Sequence, residues 1–472
     1  MADKDHYDLV VIGSGPGGYV ASIRGARVGM NVALVERDRV GGVCLNYGCI
    51  PTKTLLQNTE VLSLFQRSKE FGITVDNLMA DFSKAVDRSR RVANRLSKGV
   101  EYLLKKNKID LISGSAMFHS HPAPTKKIGI IDEKGKYIRE ITGRNIIIAT
   151  GSRVKSVPGV NIDGKKIITS NEAILLKDLP ESMIILGGGA IGVEFAYIFA
   201  IYGVKVTIIE MLPHILPLED SEITAILERS FKKIGIDIMT GYRVESVMAG
   251  GKGVKVTVSS AEGTSEEKAS DIVLVATGRE PNSEGIGLKE MNINMEKGYI
   301  KVNNRMETGA AGIYAIGDVA GQPLLAHAAM AEGITAVETI NGKEGGLPDR
   351  LNIPNCTYCH PQVASVGLSE EEAKKRGYDI KIGRFPFRAN GKAVAMGETD
   401  GMIKIIANAK NEEILGAHII GPEATELIGE IALAKSFKLT PSEISKTVHA
   451  HPTLSEMIME ASGAIYEDAI HI

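Results

Sequence analysis

The chain has 472 residues, 44% hydrophobic and 24% charged, the proportions of a folded globular protein long enough for three or four domains. Its formal net charge of −2 gives no electrostatic case for nucleic acid or an anionic membrane as partner, and no apolar run is long enough for a membrane-spanning helix. The polar start, Met1 to Asp8, has neither a secretory apolar region nor an Arg-rich transit pattern, so the expected compartment is the cytoplasm of a bacterium, or the mitochondrial matrix for a processed eukaryotic form.

Residues 7–12, Tyr-Asp-Leu-Val-Val-Ile, read as a buried parallel strand. Gly13-Ser14-Gly15-Pro16-Gly17-Gly18 follows, then a helical run to about Gly29 and a strand, Val32 to Val35, that ends at Glu36. Gly13 suits a tight turn, Gly15 lets the backbone approach a pyrophosphate, and Gly18 lets the helix pack on the strand. The helix N-terminus offers N–H groups to phosphates, and Glu36 is placed to accept hydrogen bonds from a ribose.

Cys44 and Cys49 lie in Gly-Gly-Val-Cys-Leu-Asn-Tyr-Gly-Cys-Ile-Pro-Thr-Lys, residues 41–53. A disulfide between them closes a loop of about six residues and contributes only about 2 kcal/mol in chain-entropy terms. A chain of this size does not need it. Two thiols that switch between disulfide and dithiol are one reading; two buried structural cysteines are the other. Cys356 and Cys359, followed by His360, form a CxxC. Cys-x4-Cys flanked by Gly and Pro is not zinc-finger spacing, so no metal is expected.

A long helical region is expected from the cysteine pair to about Lys106. Residues 82–106 within it alternate basic and apolar positions and read as a solvated amphipathic helix. Short strands follow over 109–148, ending in Asn-Ile-Ile-Ile-Ala-Thr-Gly at 145–151. The pattern then repeats. A strand over 183–186 leads into Gly187-Gly188-Gly189-Ala190-Ile191-Gly192, the next helix carries Glu194, and a strand over 206–209 ends in Glu210. Glu36 and Glu210 each lie 23 residues after the first glycine of their turn. Leu-Val-Ala-Thr-Gly-Arg at 274–279 echoes 145–151. Two copies of one architecture imply two dinucleotide sites, and a flavin with a nicotinamide is the economical pairing, because a flavin exchanges electrons with a disulfide. No Arg or Lys follows Glu210 directly, which suits NAD rather than NADP.

Ile-Tyr-Ala-Ile-Gly-Asp-Val at 313–319 is a strand ending at Asp318. That carboxylate either binds polyol hydroxyls or caps a helix from about 323. From about 350, short strands (363–367, 380–386, 402–406, 414–420) mix with helices (369–376, 423–437), an α+β pattern. His449-Ala-His451-Pro452-Thr-Leu-Ser-Glu456 closes the chain's motifs. Pro452 suits a first helical turn, with Glu456 about one turn on, where it can orient the imidazole of a base; an unrelated His and Glu are the alternative.

Together, Gly-Gly-Val-Cys-Leu-Asn-Tyr-Gly-Cys-Ile-Pro-Thr-Lys, Gly-Gly-Gly-Ala-Ile-Gly-Val-Glu, Ala-Thr-Gly-Arg-Glu-Pro-Asn, Tyr-Ala-Ile-Gly-Asp-Val and His-Ala-His-Pro-Thr-Leu-Ser-Glu resemble the pyridine nucleotide-disulfide oxidoreductases over essentially the whole chain, and among them the members that oxidise dihydrolipoamide. Pro-Thr-Lys after the second cysteine, and a tail without cysteines, separate it from the glutathione and mercuric branches. The resemblance implies two Rossmann-like domains of the glutathione-reductase type and a C-terminal α+β interface domain: FAD over 1–150, NAD over 151–279, a central segment over 280–349 completing the FAD site, and dimerisation over 350–472. Cys44 is then the interchange thiol, Cys49 the thiol facing the flavin, and His451 the base, oriented by Glu456. Gly13, Gly15, Gly18, Glu36, Lys53, Gly151, Asp318 and Ala326 serve FAD; Gly187, Gly189, Gly192, Glu194, Glu210 and Gly278 serve NAD, with Lys53 and Glu194 similar to a family pair beside the flavin. The implied partners are a second copy of the chain and lipoyl domains of 2-oxo acid dehydrogenase or glycine cleavage complexes. Another disulfide reductase of the family, or a complex component with mainly a binding role, are the alternative functions.

Overall fold

The computed structural model describes residues 5–119, 125–347 and 349–472; the start of the polar N-terminal stretch, residues 1–4, lies outside them. The chain packs into two compact units. One comprises Met1–Thr54, Val86–Lys155 and Gly278–Pro348; the other comprises Leu55–Ala85, Ser156–Thr277 and Asp349–Ile472.

The first unit is built on a twisted sheet. Its parallel part runs Asp110–Ser113, Val32–Glu36, His6–Ile12, Tyr137–Ile148, with Ile313–Ala315 pairing on the far side of Tyr137–Ile148. The register sets Leu9 against Val32 and Asn145. Lys126–Ile131 and Ser115–Phe118 extend it antiparallel. The central strands are buried on both faces, which is why they read as near-continuous runs of Val, Ile and Leu. The helices Pro16–Arg27 and Ala326–Ile340 pack closely: a Cβ on Gly333 would lie 2.7 Å from the Gly17 carbonyl oxygen.

The second unit repeats the theme. Asp237–Thr240, Lys205–Glu210, Ser182–Leu186, Ile272–Val275 and Ile167–Thr169 form an all-parallel sheet whose first four strands are connected as in the first unit, while its last, Ile167–Thr169, precedes the others in sequence. A three-stranded antiparallel sheet, Tyr242–Gly250, Gly253–Ser260 and Ser265–Ser270, follows. The C-terminal part is an antiparallel sheet ordered Asn355–Thr357, Gln362–Gly367, Ile414–Gly421, Met402–Asn408, Ile380–Pro386, packed against the helices Ala424–Ser436 and Glu456–Gly463. The architecture is two Rossmann-like sheets and an α+β domain, as expected.

Three local expectations need correction. The helical region after the cysteines is interrupted: Cys49–Gln66 and the short turn Ser68–Phe71 end at Gly72, whose φ of 72° stops the helix, and Phe82–Lys106 starts afresh after a loop. The helix expected from about 323 begins at Ala326, so Asp318 does not cap it. Pro452 precedes its helix rather than opening it; the helix is Glu456–Gly463.

Within the second unit, the Lys404 ammonium is buried among three carboxylates, Asp220 at 2.9 Å, Glu222 at 3.0 Å and Glu370 at 2.7 Å. Burial opposes its charge, but the hydrogen bonds it donates to Glu370, Asp220 and Glu222 outweigh it and raise its pKa. This network ties the helix Ser221–Lys233, whose N-cap is Asp220, to the C-terminal sheet. Removing the cation leaves buried carboxylates uncompensated. Lys404→Met is therefore expected to cost about 3 kcal/mol or more, seen as a fall in thermal midpoint of the protein; an unchanged midpoint would show the network to be dispensable.

Candidate active site

The two glycine turns have matching geometry. Gly13 and Gly187 hold φ of 101° and 104°, and a Cβ at Gly18 or Gly192 would strike the carbonyl oxygen of the first glycine at 1.8 or 2.0 Å. Gly15 and Gly189 differ from these: nothing lies within 4 Å of the position a Cβ would take. Each is the N-cap of its helix, Pro16–Arg27 or Ala190–Ile201. The packed glycines fix the turn, and the open one leaves room at a helix N-terminus, which fits a pyrophosphate in both places. Glu36 accepts hydrogen bonds from the Ser14 N–H at 2.7 Å, the Ser14 hydroxyl at 2.6 Å and the Asp38 N–H at 2.9 Å. Glu210 accepts them from the N–H groups of Gly188 at 2.6 Å and Leu212 at 2.9 Å. Both acids are thereby anchored beside their turns.

The cysteine loop is stitched to the first turn. The Gly41 N–H donates to the Ser14 carbonyl at 3.0 Å, and a Cβ on Gly42 would lie 2.8 Å from the Gly15 Cα. The Asn46 amide donates to the carbonyls of Val40 and Gly42 at 3.1 and 3.0 Å, closing the short helix Gly42–Asn46 that carries Cys44. Cys49 opens the helix Cys49–Gln66, whose positive end favours a thiolate. Cys44 hydrogen-bonds to Cys49. That bond, then burial, pushes the Cys44 thiol well up; Lys53 opposes the rise and Asp318 adds to it. The two thiols titrate as one coupled pair, so that the first proton lost leaves a single negative charge shared between them.

Asp318 lies in the turn Gly317–Ala320, where the Ser152 hydroxyl donates to it. Arg279 donates to the Ser152 hydroxyl at 2.7 Å and to its carbonyl at 2.8 Å, and stands 3.9 Å from the Asp318 carboxylate. Burial holds the Arg279 guanidinium below its ordinary pKa, with Asp318 and Cys49 opposing. Ser152 and Arg279 escaped the sequence reading as site residues. The one available signal was that each directly follows an Ala-Thr-Gly turn, 149–151 and 276–278. Gly151 and Gly278 hold φ of 69° and 127° at those turns. The first turn is locked by Asn282, which donates its amide to the Thr150 carbonyl at 3.0 Å and its N–H to Gly151 at 2.9 Å. Ala326 is the first residue of its helix. Cys44, Cys49, Lys53 and Asp318 thus gather in one neighbourhood of the first unit.

In the second unit, His451 Nδ1 lies 2.8 Å from Glu456 Oε1, and the ring is largely exposed. The other Glu456 oxygen accepts the Thr453 N–H at 2.8 Å. Burial opposes ionisation of Glu456, but the Thr453 N–H and the His451 ring outweigh it and hold its carboxyl below the usual range. With Nδ1–H given to Glu456, His451 keeps Nε2 as a basic nitrogen facing outward. His449, two residues earlier, has both nitrogens engaged, with the Thr447 carbonyl at 2.8 Å and Glu430 at 2.9 Å. Glu194 is buried and accepts the Tyr358 N–H at 2.9 Å. Lys53 lies in the first unit and Glu194 in the second.

Comparison with known proteins places this geometry. The family described as pyridine nucleotide-disulphide oxidoreductase matches residues 7–333, and its dimerisation domain matches residues 353–462. The chain belongs to this family. It is an FAD- and NAD-dependent disulfide oxidoreductase with a dimerisation domain. A relative from Chlorobaculum parvum named dihydrolipoyl dehydrogenase is 47% identical over 462 residues, 97% of each chain. One of the same name from Rhizobium etli is 44% identical over 476 residues, again 97% of each. Among solved structures of similar fold, LpdA from Mycobacterium tuberculosis superposes with a TM-score of 0.90 at 27% identity, covering 96% of this chain and 98% of that one. The HOCl-induced flavoprotein disulfide reductase RclA from Escherichia coli has a TM-score of 0.84 at 29% identity, covering 98% and 99%. In common with the rest of the fold, no helix among the described residues of this oxidoreductase is long and apolar enough to cross a membrane.

Proposed function

We propose that this oxidoreductase converts the dihydrolipoyl group of a carrier protein to its disulfide and passes the electrons to NAD⁺. The observation that carries this reading is the run of relatives named dihydrolipoyl dehydrogenase, at 43–47% identity along nearly the whole chain.

The residues then divide the work. His451 takes the proton of the first substrate thiol, whose sulfur attacks Cys44 Sγ; the Cys44–Cys49 bond breaks, and Cys49 leaves as the thiolate that its helix N-terminus favours. The second substrate sulfur then attacks the mixed disulfide, the substrate closes to its own disulfide, and the proton of that second thiol passes to the departing Cys44. The balance is two electrons and one proton on the cysteine pair, one proton on His451. The oriented His451 is needed because only a thiolate attacks a disulfide, and the substrate thiols are mostly protonated at neutral pH. FAD, when bound, supplies the chemistry that carries the electron pair from a dithiol to NAD⁺.

Gly13, Gly15, Gly18, Glu36, Gly151 and Ala326 would hold FAD, with Asp318 on its polyol chain and Lys53, paired with Glu194, beside its ring. Gly187, Gly189, Gly192, Glu210 and Gly278 would hold NAD. Residues 1–150 with 280–349 make the flavin domain, 151–279 the NAD domain and 350–472 the dimer contact, through which His451 serves the cysteine pair of the second copy. The carriers are lipoyl domains of 2-oxo acid dehydrogenase or glycine cleavage complexes, in a bacterial cytoplasm. A steady-state assay of the purified protein tests the reading. Turnover of dihydrolipoamide with NAD⁺ is expected, and none of glutathione disulfide with NADPH; the reverse preference would sink it.

A further inference from the structure

The helix Phe82–Lys106 does more than cover the core. Its inner face, with Val86, Ala93, Val100 and Leu104, is buried. Its outer face carries Arg88, Arg91, Arg95, Lys98, Tyr102 and Lys105, all exposed and spaced by three or four residues, so they form one row. From Arg91 to Lys105 the row is ~21 Å long. Residues 86–106 hold seven cations, Arg88, Arg90, Arg91, Arg95, Lys98, Lys105 and Lys106, against two acids, Asp87 and Glu101, in a chain whose net charge is −2. Among the described residues, no carboxylate makes an ion pair with Arg91, Arg95, Lys98 or Lys105. A solvated helix face normally mixes its signs evenly; here Glu101, between Lys98 and Lys105, is the single acid from Arg88 to Lys106.

The row is also fastened to the redox loop. The Ser97 hydroxyl donates to the Val40 carbonyl at 2.6 Å, Arg90 to the Asn46 carbonyl at 2.7 Å and Arg88 to the Thr54 carbonyl at 3.3 Å. These contacts lie on both sides of Cys44 and Cys49 in the sequence. The row is therefore held rigidly relative to the thiols.

We propose that this row is a docking surface for an acidic protein domain that bears the dithiol on an arm, and that it aligns the carrier so that the arm reaches Cys44. The proposal rests on the dihydrolipoyl reading above and adds the surface that selects the carrier. A free dithiol has no charge to use the row; a carrier with an acidic face does. Long-range attraction then raises the encounter rate and fixes orientation, and salt screens it.

The test is a triple variant, Arg91→Glu, Arg95→Glu and Lys98→Glu, assayed on two substrates with NAD⁺: free dihydrolipoamide, and a reduced lipoyl domain of negative net charge. The expected result is a fall of about tenfold or more in kcat/KM for the domain at low ionic strength, with the free substrate unchanged. The wild-type advantage on the domain should shrink as salt rises from about 10 mM to about 150 mM. Arg91→Gln, Arg95→Gln and Lys98→Gln together should give a smaller loss, and this variant decides the matter if the charge reversal misfolds. Equal kinetics of wild type and variants on the domain would overturn the proposal. So would an equal loss on both substrates, or a row that binds vesicles of anionic phospholipid while leaving the domain's kinetics untouched. A wild type that turns over the free substrate but shows no salt-sensitive preference for the domain overturns the docking surface alone; one that turns over neither overturns the functional reading with it.

Discussion

Cys44→Ser is expected to abolish turnover of dihydrolipoamide while leaving the protein folded and yellow. A serine oxygen cannot form the disulfide that a substrate thiolate attacks, so no electrons enter through the pair. The fold has little reason to change. The loop is held by Gly41, Gly42 and Asn46, through bonds that do not involve the Cys44 side chain. Substantial residual activity with dihydrolipoamide would remove Cys44 from the interchange role.

His451→Ala is the second large effect, a loss of about 10²–10⁴-fold in rate with FAD binding intact. The ring is exposed, and among the described residues its bond is to Glu456 through Nδ1, so deleting it opens no cavity. The pH dependence gives the role away. Ordinary thiols ionise near pH 8.5. Below that, the variant has few substrate thiolates and no base to make them. As pH rises through that range the substrate ionises unaided, so the variant's rate should climb and its deficit against wild type should narrow. A uniform deficit at all pH values, or a variant within tenfold of wild type at neutral pH, would mean that His451 is not the base.

Much of this architecture was open to a reader of the sequence alone. The doubled strand–glycine turn–helix–strand–acid pattern is local, and each copy is dictated by close approach: Gly18 against Gly13, Gly192 against Gly187. The His451–Glu456 bond was also within reach, because five residues and one turn set it. Its detail was not. Pro452 suggested a helical start, yet the helix waits for Glu456, whose carboxylate spends one oxygen on the Thr453 N–H. Of the Ser152–Arg279–Asp318 cluster only Asp318 was read as a site residue. Ser152 lies 127 residues from Arg279 and 166 from Asp318, and although Ser152 and Arg279 each follow an Ala-Thr-Gly run, nothing local shows that the two runs meet in space. The direction of the cysteine pair was likewise invisible to spacing. The direction proposed above draws its support from Cys49 opening a long helix while Cys44 lies within the short helix Gly42–Asn46.

The stitch between Ser14, Gly41 and Gly42 has a consequence for how the protein matures. The loop that carries the thiols borrows its shape from the glycine turn, so it cannot be set before the first strand, turn and helix have formed. The strand His6–Ile12 is itself completed by Tyr137–Ile148, and that strand by Ile313–Ala315, so the thiols come into register only when three distant stretches of the chain have met.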